Sequence, residues 1–148
     1  MANPFLVLGG IAVGIVTAAF GILQVPGWVA SAQDASAKND IAQISIGQAA
    51  SLSATGLAKG SINGTAPTGI NTDPAVGVTV TTQATADTNA RTYASANSKN
   101  YIVVVRSASG AFWARGDGGQ IVKLAASVTA MPADYTAANT AVAAGTPG

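Results

Sequence analysis

Hydrophobic and polar positions divide the N-terminal part of the chain into an apolar run and a more polar continuation. From Phe5 to Val25 no residue is charged and most are apolar, and the run stops at Pro26. A helix of that length spans about 31 Å, close to the thickness of a bilayer core. The pattern predicts a segment that lies in lipid, is removed as a secretion signal, or packs against copies of itself.

Small residues form a stripe within the apolar run. Gly10, Gly14 and Ala18 follow one another at spacings of four, which places them on one side of a helix. Small residues at this spacing let helix backbones approach closely, although glycine is also common in transmembrane helices in general. We therefore expect helix–helix packing through this segment. Its candidate residues are Phe5, Gly10, Gly14, Ala18, Gly21 and Pro26.

The continuation after Pro26 is amphipathic. Ile41, Ile44 and Leu52 recur near i, i+3 and i+11, on one side of a 3.6-residue helix. Gly56 is a plausible stop signal. We predict one long helix over residues 1–57, with an apolar half at 5–25 and an amphipathic half at 27–57. On its polar side, Asp34 and Lys38 form an i, i+4 pair of favourable orientation.

Residues 58–148 carry the signals of a small antiparallel sheet. Short turns join the segments 101–106, 111–115 and 120–124 into a predicted meander. Further strands are expected at 76–82 and 127–131, and the tail from Pro132 is expected to be a loosely packed surface segment. So small a sheet buries too little apolar surface to be stable alone. We expect the face of Ile41, Ile44 and Leu52 to cover it, which gives an α+β fold.

Composition excludes several functional classes. The chain has no Cys, no His and no Glu, so disulfide scaffolds, thiolate or imidazole metal sites and the usual general bases are absent. The expected protein is not an enzyme, has no catalytic or metal-binding residues and needs no cofactor. Charged residues make up 9%, with no basic stripe, so nucleic acid is not an expected partner.

Two short motifs have alternative interpretations. Asn63-Gly64-Thr65 fits a glycosylation sequon, but Asn-Gly is also a common turn pair, so Asn63 is a possible glycosylation site. Ala30-Ser31-Ala32 fits a signal-peptidase pattern, with cleavage after Ala32. The residues before the apolar run carry no positive charge and the run is longer than a usual signal core, so we expect the segment to be retained.

The N-terminal pattern resembles that of type IV pilins and pilin-like proteins. In that family an apolar helix begins with Phe at the first mature position and reaches a Pro about 22 residues later, which is the spacing from Phe5 to Pro26. An amphipathic half, a glycine-rich loop and an antiparallel sheet follow. The resemblance implies a long N-terminal helix packed by its C-terminal half on the sheet, and a filament whose core contains the apolar half.

This chain departs from the family pattern at two positions. Gly9 stands where the family has Glu at the fifth mature position, and Asn3-Pro4 stand where a Gly precedes the peptidase cut. No basic leader precedes the helix. We therefore expect either a divergent pilin or a pilin-like subunit of a virion or conjugation filament. The numbering would start on a processed chain, or the protein would be made without the usual leader.

The expected function is that of a structural subunit of an extracellular, type IV pilus-like filament. Its partners would be identical subunits, the membrane before assembly and the pilus assembly machinery. It would lie in the inner or plasma membrane first and in a cell-surface filament afterwards. Two alternatives stay open: a single-pass membrane-anchored envelope protein, and a secreted binding domain after cleavage near Ala32.

Overall fold

The computed structural model describes the backbone from Pro4 and the side chains from Val25 to Gly148. The packing residues predicted at Phe5, Gly10, Gly14, Ala18 and Gly21 lie outside the described side chains. The chain divides into two compact units, Met1–Ala32 and Gln33–Gly148. Its elements in chain order are α1 (Pro4–Thr55), β1 (Ala90–Ala94), β2 (Tyr101–Arg106), β3 (Phe112–Gly116), β4 (Val122–Lys123), α2 (Tyr135–Ala143) and β5 (Thr146–Pro147).

Helix α1 ends in a glycine cap. Gly56 has a φ of 71°, and its N–H donates to the Leu52 carbonyl at 2.9 Å. Such a left-handed residue after the last turn is favourable only for glycine and satisfies one of the carbonyls that the helix end leaves free. The Ser51 hydroxyl donates to the carbonyl of Leu57 at 2.7 Å and holds the chain as it leaves the helix.

All five strands form one antiparallel sheet in the order β1-β2-β3-β4-β5. The meander predicted over residues 101–124 is confirmed as β2, β3 and β4. Ile102 pairs with Gly116 and Arg106 with Phe112, so every residue of β2 after Tyr101 has a partner in β3. β2 lies between β1 and β3, and its first five residues are buried.

Helix α1 covers one face of the sheet. Ile41 and Ile44 are fully buried in a core cluster that includes Val103, Val105 and Trp113. These three sheet residues alternate with residues of the other face, as the period of two in a strand requires. The fold is therefore α+β, with the C-terminal half of α1 packed on a five-stranded antiparallel sheet.

The other face of the sheet is covered as well, which corrects the expectation of a loosely packed tail. The tail forms α2, whose Ala138 is buried against Ile102, Val104 and Phe112. The Asp134 side chain accepts a hydrogen bond from the Ala137 N–H at 2.8 Å and caps the start of the helix. Because the central residues of β2, Ile102 to Val105, are all apolar and β-branched, both faces of this strand need a cover.

Two predicted strands, at 76–82 and 127–131, are wrong. The first alternates valine and threonine but contains Gly77 with a φ of 69°. Within it, the Asn71 side chain donates to the Val80 carbonyl at 2.9 Å and accepts from the Val80 N–H at 2.7 Å. An amide side chain thus satisfies the two backbone groups that a neighbouring strand would otherwise pair.

Candidate functional site

Within the first unit, the described end of α1 exposes a group of apolar side chains. Val25, Trp28 and Val29 lie at i, i+3 and i+4, on one helix face, and the Trp28 side chain is 69% exposed. Pro26 lies inside α1, and the helix continues past it to Thr55. An exposed apolar helix face is typical of a surface that is covered in the functional state of a protein.

Every ionisable side chain of α1 after Pro26 contacts the sheet or one of the loops next to it. The Ser109 hydroxyl donates to Asp34 at 2.5 Å, and the Lys38 ammonium lies 4.2 Å from the centroid of the Trp113 ring. Asp40 accepts backbone hydrogen bonds from the loop before β1. The predicted Asp34–Lys38 ion pair is therefore not formed, because each residue has a tertiary partner. The opposite face of this half of α1 carries no charge.

The three residues expected to pack on the sheet differ in burial. Ile41 and Ile44 are fully buried, whereas Leu52 is partly buried at the edge of the same cluster. Between them, Gln48 is 0% exposed. Its amide donates to the Lys59 carbonyl at 2.7 Å and to the Thr92 hydroxyl at 2.6 Å, and its oxygen accepts from the Lys59 N–H at 2.9 Å. Gln48 therefore joins α1 to the loop and to β1.

Two carboxylates hold the loop between α1 and β1 by accepting backbone N–H groups. Asp40 binds the N–H groups of Gln83 and Ala84, both at 2.8 Å. Asp87 binds the N–H groups of Ile62 at 2.8 Å and Asn63 at 2.7 Å. Charge-assisted hydrogen bonds of this kind are stronger than neutral ones. They fix a long segment that has little regular structure of its own.

A buried ion pair closes the same loop. The Lys59 Nζ and the Asp73 Oδ2 lie 2.5 Å apart, and both side chains are largely buried. The Lys59 ammonium also donates to the Pro67 carbonyl at 2.9 Å. The hydrogen bonds that Asp73 accepts from Lys59 and from the Ala75 N–H outweigh its burial and hold the pKa of Asp73 below its usual value of 3.8. For Asp34, burial raises the pKa, but the hydrogen bond from Ser109 contributes to a net lowering.

The lowered pKa values of Asp34 and Asp73 predict that the fold loses stability in acid. A carboxyl group whose pKa is lower in the folded state stabilises the fold above its unfolded pKa, and this contribution is lost as the pH falls through the folded value. We expect the free energy of unfolding to decrease below about pH 4. In Asp73→Asn the decrease should be shallower, as measured by urea unfolding at a series of pH values.

Asp117→Asn is the matched control, because Asp117 is exposed in the β3–β4 turn. This variant makes the same change of charge without removing the partner of a buried lysine. Its free energy of unfolding should therefore decrease with falling pH as steeply as that of the parent. If the free energy of unfolding decreased equally steeply in acid for Asp73→Asn and for the parent, the ion pair with Lys59 would not contribute to the loss of stability in acid.

Asn63 is exposed on the loop that Asp87 holds. Its side-chain oxygen accepts a hydrogen bond from the Asn71 amide at 2.8 Å, which leaves its own nitrogen free of a partner among the described side chains. Gly64 is enclosed: a Cβ there would lie 2.9 Å from the Ser61 Cβ. The Asn-Gly pair thus has a structural role in this turn, and glycosylation of Asn63 stays a prediction.

A cleft of about 390 Å³ lies within the second unit, and the sequence did not indicate it. Its walls come from α1, from the loop before β1 and from the turn after β2. No sequence motif could reveal it, because Asp40 and Asn89 belong to segments that only the packing of the loop on α1 brings together. Its side chains are Gln33, Ser36, Ala37, Asp40, Gln83, Ala84, Thr85, Asn89, Arg106, Ser107 and Ala108, with the backbone of Gly110.

Two chemical features are not found in the part of the chain whose side chains are described. From Val25 onward, no group of three or more acidic, Cys or His side chains lies close enough to hold a metal ion. Over the same residues, no helical stretch combines the length and the apolar character needed to cross a membrane. The apolar run predicted at 5–25 lies almost entirely before these residues.

Comparison with known proteins gives no relative for this chain: no family model, no curated protein and no solved structure matches it.

Proposed function

We propose that this chain is a structural, non-enzymatic subunit of an extracellular filament of the type IV pilus kind. The observation that carries the proposal is the uncharged N-terminal run from Phe5 to Val25. Its last residue, Val25, is exposed together with Trp28 and Val29, which follow it on α1. Apolar surface of this extent is stable only in lipid or against other apolar surface. In a filament, sibling helices supply that surface.

The arrangement of charges on α1 supports the same role. The charged side chains of this half of α1 all contact the sheet or its loops, and they are Asp34, Lys38 and Asp40. The other face of the helix is therefore free of charge. A neighbouring subunit could pack on such a face without removing a charge from water, which would cost several kcal/mol. Assembly would then proceed by transfer of the apolar half from the membrane to a bundle of identical helices.

One observation favours a second candidate, a secreted binding domain. The first unit ends at Ala32, the residue after which the Ala30-Ser31-Ala32 pattern predicts cleavage. Every buried core residue of the described chain lies after this point, beginning with Ala37. A cleaved product would keep the whole core. Intact mass of protein from its native source distinguishes the two, since cleavage predicts an N-terminus at Gln33.

The filament proposal predicts that Gly14→Leu reduces filament yield strongly. The new side chain would stand on the stripe of Gly10, Gly14 and Ala18 and separate the packed backbones. Negative-stain microscopy of sheared surface material measures the yield. In the assembled wild-type protein, acrylamide quenching of Trp28 should also fall, with the buried Trp113 as an internal reference.

Gly9→Leu is the matched control, because Gly9 lies about 100° away from Gly10 around the helix. The same gain in volume and hydropathy should leave filaments intact. Normal filaments from Gly14→Leu, or surface material that never contains fibres of this chain, would reject the proposal.

A further inference from the structure

The cleft beside α1 has a buried charge on its wall. Asp40 is 2% exposed, and no cationic side chain lies within ion-pair distance of it in the described part of the chain. Each of its oxygens accepts one backbone N–H, from Gln83 and from Ala84. A carboxylate offers about four acceptor positions, so about two are left. Asp40 therefore retains acceptor capacity at the edge of a cavity.

Uncharged hydrogen-bonding side chains complete the walls. The amides of Gln33, Gln83 and Asn89 make no hydrogen bond within the described residues, and neither do the hydroxyls of Ser36 and Thr85. All five line the cleft. Each amide has both donor and acceptor atoms, and each hydroxyl can serve as either. The cleft therefore presents both hydrogen-bond donors and hydrogen-bond acceptors around the Asp40 carboxylate.

Among the described residues that line the cleft, Arg106 is the only cation, and it directs its charge elsewhere. Arg106 contributes to the wall, but its guanidinium lies 5.7 Å from the centroid of the Phe112 ring, and Phe112 belongs to the core on the α2 side of the sheet. An anionic ligand would thus meet the Asp40 carboxylate without a compensating cation. For a metal ion such as Ca²⁺, which takes about six to eight oxygen ligands, Asp40 is the one carboxylate among the described lining residues.

We propose that this cleft binds a neutral saccharide of one or two rings. Its volume of about 390 Å³ falls within the usual range for small-ligand sites. Sugar hydroxyls can donate to Asp40 and exchange hydrogen bonds with the amides of Gln33 and Asn89. Since no aromatic ring lines the cleft, the binding is weak, with a Kd of about 1 mM. This role goes beyond the filament and does not require assembly.

The test uses the full-length, unassembled protein in a detergent without a sugar headgroup. Glucose, galactose, N-acetylglucosamine and lactose are titrated while NMR follows the backbone amides of Gln83 and Ala84, which bind Asp40. At least one of these sugars should shift both amides with a Kd of about 1 mM. The double variant Gln33→Ala/Asn89→Ala should weaken this binding about tenfold or more.

Asn39→Ala/Gln43→Ala is the matched control, because both amides are exposed on α1 and neither lines the cleft. It should bind sugar like the parent. The proposal is overturned if none of the four sugars shifts these amides, if the cleft variant binds as well as the control, or if acetate or methylammonium shifts them and the sugars do not. None of these results depends on whether filaments form.

Discussion

Replacing Gln48 by alanine is expected to destabilise the second unit by about 4 kcal/mol. The substitution would leave the Lys59 N–H and carbonyl and the Thr92 hydroxyl without their buried partners. It would also leave a cavity at a position that is fully buried between Ile44 and Ser51. A loss of this size is a large part of the 5–15 kcal/mol that a domain usually has.

Urea unfolding followed by Trp113 fluorescence measures this loss, since Trp113 is 5% exposed and lies in the same core cluster. Gln43→Ala is the control: it makes the same change on an exposed position of α1 and should alter stability by no more than about 0.5 kcal/mol. If both variants lost the same small amount, Gln48 could not be the link between α1, the loop and β1.

Gly47→Val is expected to cost about 2 kcal/mol or more. A Cβ at Gly47 would collide with the Val80 side chain and lie 2.9 Å from the Ile70 Cγ2. Both neighbours are buried and β-branched, so they have few rotamers through which to give way. The loop would have to move off the helix, and urea unfolding would report the lost packing.

Gly60→Val separates this clash from the general effect of replacing a glycine. Gly60 is exposed, and nothing lies within 4 Å of a Cβ at that position. The free energy of unfolding of Gly60→Val should stay close to that of the parent. Parent-like stability in Gly47→Val would show that the loop tolerates displacement from α1.

The long helix and the central meander could be predicted because their signals are local. Ile41 and Ile44 repeat with the helical period, and the centre of the run over 101–106, from Ile102 to Val105, is β-branched. The end of α1 was also predictable, since Gly56 is a usual C-cap residue. Each of these signals is contained in a short stretch of sequence, and the tertiary structure agrees with it.

Strand β1 and helix α2 could not be predicted in the same way. β1 reads Ala-Arg-Thr-Tyr-Ala, with weak strand propensity at its ends, and it forms because β2 offers a free edge for pairing. Helix α2 lies in an alanine- and threonine-rich tail. It is held by the buried Ala138, and the Tyr93 hydroxyl donates to the Pro132 carbonyl at 2.7 Å just before it.

Of the candidate residues, the sequence identified those that depend on periodicity and missed those that depend on contact. The stripe at Gly10, Gly14 and Ala18 is a statement about one helix and remains a prediction for the filament. The cleft around Asp40 combines segments that are more than 40 residues apart, such as Asp40 and Ala84. No spacing along the chain encodes that approach.

By itself, the sequence determined an uncharged apolar segment, a long helix and the core strands of an antiparallel sheet, because hydrophobic period and glycine position act over a few neighbouring residues. Only the tertiary structure decided that the carboxylates of Asp40, Asp73 and Asp87 hold the loop, that the tail covers the second sheet face, and that a cleft forms beside α1. These features come from buried polar groups that find partners far away in the chain, and desolvation favours such pairing wherever the fold brings the groups together.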